Sequence, residues 1–264
     1  MQDEDAIKGS PSSSVLKVGQ FSSNDLQVYE DDYFNDWHGR FYSGTHRGTN
    51  FTVTDFEKLD VNQSKGVLSF APDLSEAVVL GDLFEIYPDY TPVELNDAIN
   101  LSISMVEEEA LQDKVDSNLQ IVASTFEYVI PAGFLYIDRI IQESTTAGRY
   151  STSNNVVDVR HWDILRESPA KLWFDSNWVN LTAGKKLRLL GQSVQSQLVL
   201  DADLCNISQT YLVYQAKALL HQSKIRGRGA DFEEHERQMV LAQGLADRER
   251  VRLQVIPRGR KVTY

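Results

Sequence analysis

The sequence is almost free of cysteine, with a single one, Cys205, among 264 residues. One thiol cannot close an internal disulfide, and its mixed apolar and polar neighbours predict an ordinary small buried side chain. Long apolar runs are absent too, since none approaches the roughly 18 residues that a membrane helix requires. The first residues include Asp3, Glu4 and Asp5 and lack the basic and apolar segments of a signal peptide. We therefore expect a soluble, cytoplasmic chain without membrane contact.

Catalytic and metal-binding motifs are scarce. Five histidines are scattered without a zinc-type spacing such as HExxH or HxH, at His38, His46, His161, His221 and His235. Asp31, Asp32 and Asp36 form an acidic loop, but they lack the ligand spacing and the glycine of a calcium loop. The chain has no GxSxG sequence and no glycine-rich phosphate loop followed by Lys and Ser or Thr. We expect no catalytic residue, no metal and no cofactor.

Positive charge is scarce in the first part of the chain. Residues 1–110 carry 21 Asp or Glu against 6 Lys or Arg, whereas residues 217–264 carry 6 against 11. One interpretation is head-to-tail or layered association, in which the basic end of one subunit meets an acidic surface of another. The other is that the acidic residues only keep the first half soluble. The acidic balance also argues against sequence-specific nucleic-acid binding, which needs clustered Lys and Arg.

Short strand patterns follow a linker-like start. Residues 1–20 are poor in apolar side chains, so we expect a flexible arm over residues 1–25. Over 26–89 the pattern predicts a small antiparallel β region, in which Phe51 and Phe56 lie on opposite faces of a half-buried strand. Over 114–205 strand candidates, the first of them near 119–123, recur between polar turns. This spacing indicates a β-sandwich or a small barrel.

A helix with a clear start lies between these two regions. Thr91 is predicted to cap it, Pro92 to occupy its first position and Glu94 to reach back to the cap residue in a capping box. The pattern continues to about Leu111 and ends after an acidic run at 107–109, which opposes the helix dipole. This unfavourable placement of acidic residues indicates either that a basic partner lies nearby or that it has no structural significance.

Two more helices are predicted near the C-terminus. Ser208 is expected to cap the first, which ends near residue 223, and Arg226-Gly227-Arg228-Gly229 then breaks the pattern. The second begins with a capping box of Asp231 and Glu234 and ends near Asp247.

The last residues predict an extended tail. Residues 250–255 alternate polar and apolar side chains, as an edge strand does, and 257–264 are too polar and too rich in Gly and Pro to fold alone. We expect such a tail to lie on a neighbouring protein by strand addition or charge pairing.

Several short motifs resemble a segment of virion structural proteins from tailed bacteriophages, of the head-to-tail connector type. They are YFND at 33–36, FYSGT at 41–45, FTVTDF at 51–56, GDLFEI at 81–86, YTP at 90–92 and NDAIN at 96–100. Beyond the first hundred residues the similarity thins to spaced motifs, at 128–134 and 187–192.

The resemblance implies an α+β fold with a helical adaptor-like core and a β-rich N-terminal region. The core would consist of residues 90–113 and 206–248, and the β-sandwich or small barrel at 114–205 would be inserted into it. Residues 249–264 would form the extended C-terminal tail.

The resemblance also implies a function. The chain would be a subunit of a homo-oligomeric, twelve-fold ring in the virion neck, assembled in the host cytoplasm. The ring would join the portal protein to the next neck or tail protein and surround packaged DNA without specific contacts. The expected portal contacts are the basic residues near the C-terminus, Arg226, Arg228, Arg250, Arg252, Arg258, Arg260 and Lys261.

Two alternatives stay open. The chain could be another neck or tail component, such as a stopper, a tail terminator or a tail-tip protein. It could also be a carbohydrate-binding or carbohydrate-degrading module, in which Trp37 and the acidic loop at 31–36 contact sugar.

Overall fold

The computed structural model describes residues 6–12, 18–59, 65–151, 155–177, 179–200, 202–225, 232–253 and 259–262. Within these ranges, thirteen strands form three antiparallel sheets, accompanied by three α-helices. No helix in this part of the chain combines the length and the apolar character needed to cross a membrane.

The expected helical adaptor-like core is wrong. Of the residues that the structure describes, both clusters of buried apolar side chains come from strands and loops, and no α-helix supplies a member. The longest helix has only Ala242 and Ala246 buried among its described side chains. Burial of large apolar side chains dominates the stability of a fold, so the sheets, and not the helices, form the two cores.

The residues group by their contacts into two compact units. The first consists of Met1–Asn100, Val199–Ala202 and Ala216–Val240, and the second of Leu101–Leu198, Asp203–Gln215 and Leu241–Tyr264. The domain boundaries expected from the sequence stay a prediction.

The first unit contains a six-stranded sheet in the order β1-β6-β3-β4-β5-β2. Its strands are β1 (Ile7–Gly9), β2 (Gln20–Ser22), β3 (His38–Phe41), β4 (Asn50–Leu59), β5 (Lys65–Ala71) and β6 (Phe84–Tyr87). A short 3₁₀ helix, Asn24–Leu26, follows β2. Phe21 of β2 is fully buried, and β1 pairs with β6. These two segments of the expected N-terminal arm therefore belong to the sheet, while residues 1–5 and 13–17 lie outside the described ranges.

Phenylalanine dominates the core of the first unit. The ring centroids of Phe21 and Phe84 lie 4.7 Å apart, those of Phe34 and Phe56 4.8 Å, and those of Phe41 and Phe51 4.9 Å. All six side chains are at most 3% exposed. Aromatic pairs at such distances add about 0.5–1.5 kcal/mol each beyond their area burial.

A bulge in β4 changes which side chains face the core. The pairing of β4 with β5 shifts register between Val53 and Asp55. One extra residue reverses the alternation beyond it, so Phe56 is buried together with Phe51 and Val53. The expectation that Phe51 and Phe56 face opposite sides was therefore wrong.

The second unit has two sheets, with the orders β13-β9-β12-β7 and β10-β11-β8. The strands are β7 (Gln112–Gln120), β8 (Glu127–Val129), β9 (Tyr136–Gln142), β10 (Trp162–Leu165), β11 (Lys171–Phe174), β12 (Lys186–Ser193) and β13 (Arg260–Lys261). A 3₁₀ helix, Val159–His161, precedes β10. Both sheets contribute to one core, Ile137 and Leu189 from the first and Leu172 and Phe174 from the second.

The three helices are α1 (Pro92–Ser104), α2 (Gln209–Ile225) and α3 (Phe232–Leu253). The predicted capping box of α1 is confirmed, because the Thr91 N–H donates to Glu94 Oε2 at 2.8 Å and the Glu94 N–H donates to Thr91 Oγ1 at 3.2 Å. The helix ends at Ser104, earlier than expected, and turns follow up to β7. Asp231, the expected cap of α3, lies outside the described residues.

The extended chain expected at 250–255, as an edge strand or as part of the tail at 249–264, is wrong over residues 250–253, where α3 continues to Leu253. Val251 is 70% exposed, so the alternating apolar side chains do not mark a buried strand face. Arg250, Arg252 and Leu253, three of these four residues, are good helix formers. Residues 254–258 are not among those described.

Candidate functional site

The structure describes four of the seven predicted portal contacts, namely Arg250, Arg252, Arg260 and Lys261. Arg226, Arg228 and Arg258 lie outside the described residues. Each of the four cations has a carboxylate partner within the second unit, and three of these partners lie outside the cation's own element. The pairs determine which side chains are available to another protein.

Arg250 binds Glu109 with both arms of its guanidinium group. Its Nε donates to Glu109 Oε2 at 2.8 Å and its Nη2 donates to Glu109 Oε1 at 2.5 Å. Bidentate Arg–carboxylate pairs are stronger and more directional than single charge-assisted bonds. The hydrogen bond from Arg250 lowers the pKa of Glu109 below its usual range. This pair fixes the end of α3 to the acidic turn after α1.

Lys261 binds the neighbouring carboxylate of the same turn. Its Nζ lies 2.7 Å from Glu108 Oε1, and this hydrogen bond raises the pKa of Lys261. The acidic run at 107–109 therefore has basic partners, Arg250 and Lys261, within the second unit of the same chain. This is one of the two outcomes that the sequence left open.

Arg260 is held by three groups. It forms an ion pair with Asp163, its Nη2 donates to the Val159 carbonyl oxygen at 2.9 Å, and its guanidinium carbon lies 4.8 Å from the Trp162 ring centroid. Cation–π contacts of this kind add about 0.5–2 kcal/mol. Arg260 is therefore part of the packing of the second unit.

The backbone around Arg260 also adds a strand to the edge of the sheet, next to β9. β13 pairs with β9, the Val262 N–H donates to the Leu135 carbonyl oxygen at 2.7 Å, and the Val262 side chain is 2% exposed. Gly259 has φ +88°, and a Cβ there would lie 2.1 Å from the Ile137 carbonyl oxygen. Only glycine fits this approach. Strand addition, which the sequence suggested on a neighbouring protein, thus occurs within the chain.

Arg252 differs from the other three cations. Its Nη1 donates to Glu249 Oε1 at 2.8 Å, one turn back on the same helix, and its side chain is 76% exposed. Ion pairs at i,i+3 on a helix contribute only about 0.2–0.5 kcal/mol, and Arg252, unlike Glu249 at 19% exposure, stays open to another carboxylate. Of the described cations in the predicted set, Arg252 is the most accessible to a partner.

The Arg250–Glu109 pair predicts a pH-dependent contribution to stability. A carboxyl whose pKa is lowered on folding stabilises the protein above its ordinary pKa, about 4.3 for Glu, and this contribution is lost as pH falls through the folded pKa. Arg250→Gln should therefore lower the free energy of unfolding at neutral pH, by an amount that shrinks below pH of about 4.3. Urea unfolding at several pH values measures this difference. Arg252→Gln is the control, and a deficit of Arg250→Gln that persists unchanged in acid would contradict the assignment.

The acidic loop does not form a sugar-binding platform with Trp37. Trp37 is 8% exposed and its ring centroid lies 5.1 Å from that of Phe34, inside the first core. Asp31 Oδ1 accepts the Lys58 N–H at 2.7 Å, and Asp32 Oδ1 accepts from Asn35 Nδ2 at 2.8 Å. These carboxylates organise the loop itself.

A buried carboxylate, Asp82, joins two loops of the first unit. It is fully buried, its Oδ2 accepts the Val79 N–H at 2.8 Å and its Oδ1 accepts the His46 N–H at 3.2 Å. His46 Nε2 lies 3.9 Å from Oδ2. Gly44, with φ +83°, comes so close that a Cβ would lie 2.7 Å from the Asp82 Cα. We call these residues the Asp82 clasp.

Sequence reasoning missed one pair of histidines. His221 of α2 and His235 of α3 face each other in the first unit, with their Nδ1 atoms 2.9 Å apart. Their separation of 14 positions on two helices carries no metal-binding or catalytic spacing that a motif search would find. Within the described ranges, no three or more His, Cys, Asp or Glu side chains are grouped so that they could hold a metal ion.

No protein-family model and no curated protein matches the chain. The functional argument therefore rests on the residues and contacts themselves.

Proposed function

We propose that the chain is a structural subunit of a ring in the neck of a tailed bacteriophage, where it joins the portal to the next neck or tail protein and surrounds part of the DNA channel. The observation that supports this proposal is the clustering of the motifs that resemble the phage connectors. The first four of these motifs are spread over residues 33–86, yet they contact one another inside the first unit.

The contacts among these motifs are specific. Phe34 of the first motif packs on Phe56 of the third, and Phe41 of the second pairs across the sheet with Phe84 of the fourth. Asp82, also of the fourth motif, closes the clasp beside Gly44. Residues that share one core and one clasp are constrained together by packing, which is why a resemblance that is strongest among them points to a common folding unit.

The exposed cation Arg252 is the portal contact that the geometry favours among the four described members of the predicted set. Arg250, Arg260 and Lys261 would have to leave carboxylates that stabilise their own unit, whereas Arg252 only leaves Glu249. A rim charge of this kind affects the rate and the salt dependence of association more than the fold.

Charge reversal at Arg252 tests the proposal. Purified chain is added to filled heads and tails from a phage that lacks the subunit, and joined particles are counted. Arg252→Glu should lower joining at least about tenfold, because a like-charge contact replaces an attractive one.

Arg237→Glu is the matched control, since Arg237 lies on the same helix, is 72% exposed and pairs with Glu234 three residues before it. It should join normally. Equal joining by both variants would reject the Arg252 contact, and normal joining without any added chain would reject the proposed function. Labelled chain imaged away from the neck would favour a tail-tip component instead.

A further inference from the structure

The histidine pair of the first unit has a geometry suited to a metal ion. The two rings are tilted by 42°, their centroids lie 5.2 Å apart, and the Nδ1 atoms face each other at 2.9 Å. Two metal–nitrogen bonds of about 2.0–2.1 Å that meet at a right angle place their nitrogens about 2.9 Å apart, and at the tetrahedral angle about 3.3 Å apart. The observed nitrogen separation fits two ligands on one ion, but each Nδ1 now points at the other as in an N–H···N hydrogen bond, so both rings have to turn until their lone pairs meet beside the N···N line.

The two rings already share one hydrogen. Only one hydrogen fits between two facing Nδ1 atoms, so one of them donates it and the other accepts it with its lone pair. A metal ion would replace this hydrogen bond from beside the N···N line, because two metal–nitrogen bonds of about 2.0–2.1 Å cannot both lie along a separation of 2.9 Å. Both rings are half-buried, which leaves the remaining coordination positions to water.

The nearby charged groups are held by other partners. Lys224 donates from Nζ to the Asp89 carbonyl oxygen at 2.8 Å and lies 5.0 Å from the Tyr90 ring centroid. Glu234, next to His235, accepts hydrogen bonds from Arg237 and Gln238 at 2.9 and 2.8 Å. The Tyr90 ring meets His221 edge-on, with the ring centroids 6.4 Å apart.

We propose that His221 and His235 together bind a divalent transition-metal ion such as Zn²⁺, Ni²⁺ or Cu²⁺, and that the ion links α2 to α3. Imidazole nitrogen suits these borderline ions, whereas the hard ions Mg²⁺ and Ca²⁺ prefer oxygen. Linking two helices that are neighbours in the chain stabilises the folded unit, because the ion binds the folded state better than the unfolded one.

Metal titration of the full chain, freed of any histidine tag, tests this site. Zn²⁺ or Ni²⁺ should raise the thermal unfolding midpoint by at least about 2 °C, and Mg²⁺ should not. Equilibrium dialysis should give one bound Zn²⁺ per chain near pH 7.5, and at least about tenfold weaker binding at pH 5.5, because protons compete with the metal for imidazole nitrogen.

Single substitutions identify the ligands. His221→Asn and His235→Asn should each lose the shift and the bound ion, and His161→Asn in the second unit should keep both. Each variant is compared with and without metal, so a change in its intrinsic stability does not obscure the result. Retention of the shift by His221→Asn, or no binding by the wild-type chain, would overturn the site.

Discussion

Replacing Asp82 by alanine should lower the free energy of unfolding by about 2–4 kcal/mol. The Asp82 carboxylate is fully buried and accepts hydrogen bonds from the N–H groups of Val79 and His46. Alanine removes the acceptor of both hydrogen bonds. Loss of a buried acceptor costs about 1–3 kcal/mol for each group that is left unsatisfied. Urea unfolding followed by tryptophan fluorescence and by circular dichroism measures the change.

Asp97→Ala is the matched control, because Asp97 is an exposed carboxylate in the same unit. Surface substitutions of this kind change stability by about 0.5 kcal/mol or less. Amide exchange in the loops at 44–48 and 79–83 should accelerate in Asp82→Ala and stay unchanged in the control. If both variants unfold at the same urea concentration, the Asp82 clasp is not a stabilising element.

The sequence identifies features that depend on neighbouring residues. The capping box of Thr91 and Glu94 is local chemistry, and the structure places both of its hydrogen bonds. The bulge in β4 depends on β5, and no residue within β4 signals it, so the alternation of Phe51 and Phe56 was misjudged. β7 was recognised only from residue 119 onward, because an edge strand with polar side chains on both faces carries no clear period.

Features that depend on distant residues could not be predicted. Arg250 and Glu109 are 141 positions apart, and Lys261 and Glu108 are 153 apart. The sequence showed a basic end and an acidic run, yet their pairing within one chain requires the fold of the second unit. The helical core was implied by the resemblance to phage connectors, whereas the apolar cores of this chain follow from how its strands associate, which no local motif shows.

Gly191→Ala should be the more damaging of two glycine substitutions, lowering the free energy of unfolding by about 3 kcal/mol. Gly191 lies in β12, which pairs with both β7 and β9, and a Cβ there would lie 2.0 Å from the Tyr136 carbonyl oxygen and 3.0 Å from the Phe134 ring. The Tyr136 carbonyl oxygen cannot move away without breaking the pairing between β9 and β12. The register shift between Leu190 and Gly191 marks this close approach.

Gly244→Ala provides a control of opposite sign. Gly244 lies in α3, and no neighbouring atom comes within 4 Å of the position that a Cβ would occupy there. Alanine should therefore stabilise the chain by about 0.5–1 kcal/mol through its helix propensity. Urea unfolding, together with hydrogen exchange of the β9 and β12 amides, separates the two effects. A neutral or stabilising Gly191→Ala would mean that β9 and β12 can move apart at little cost, and the close approach of their backbones would then not be what makes glycine necessary at this position.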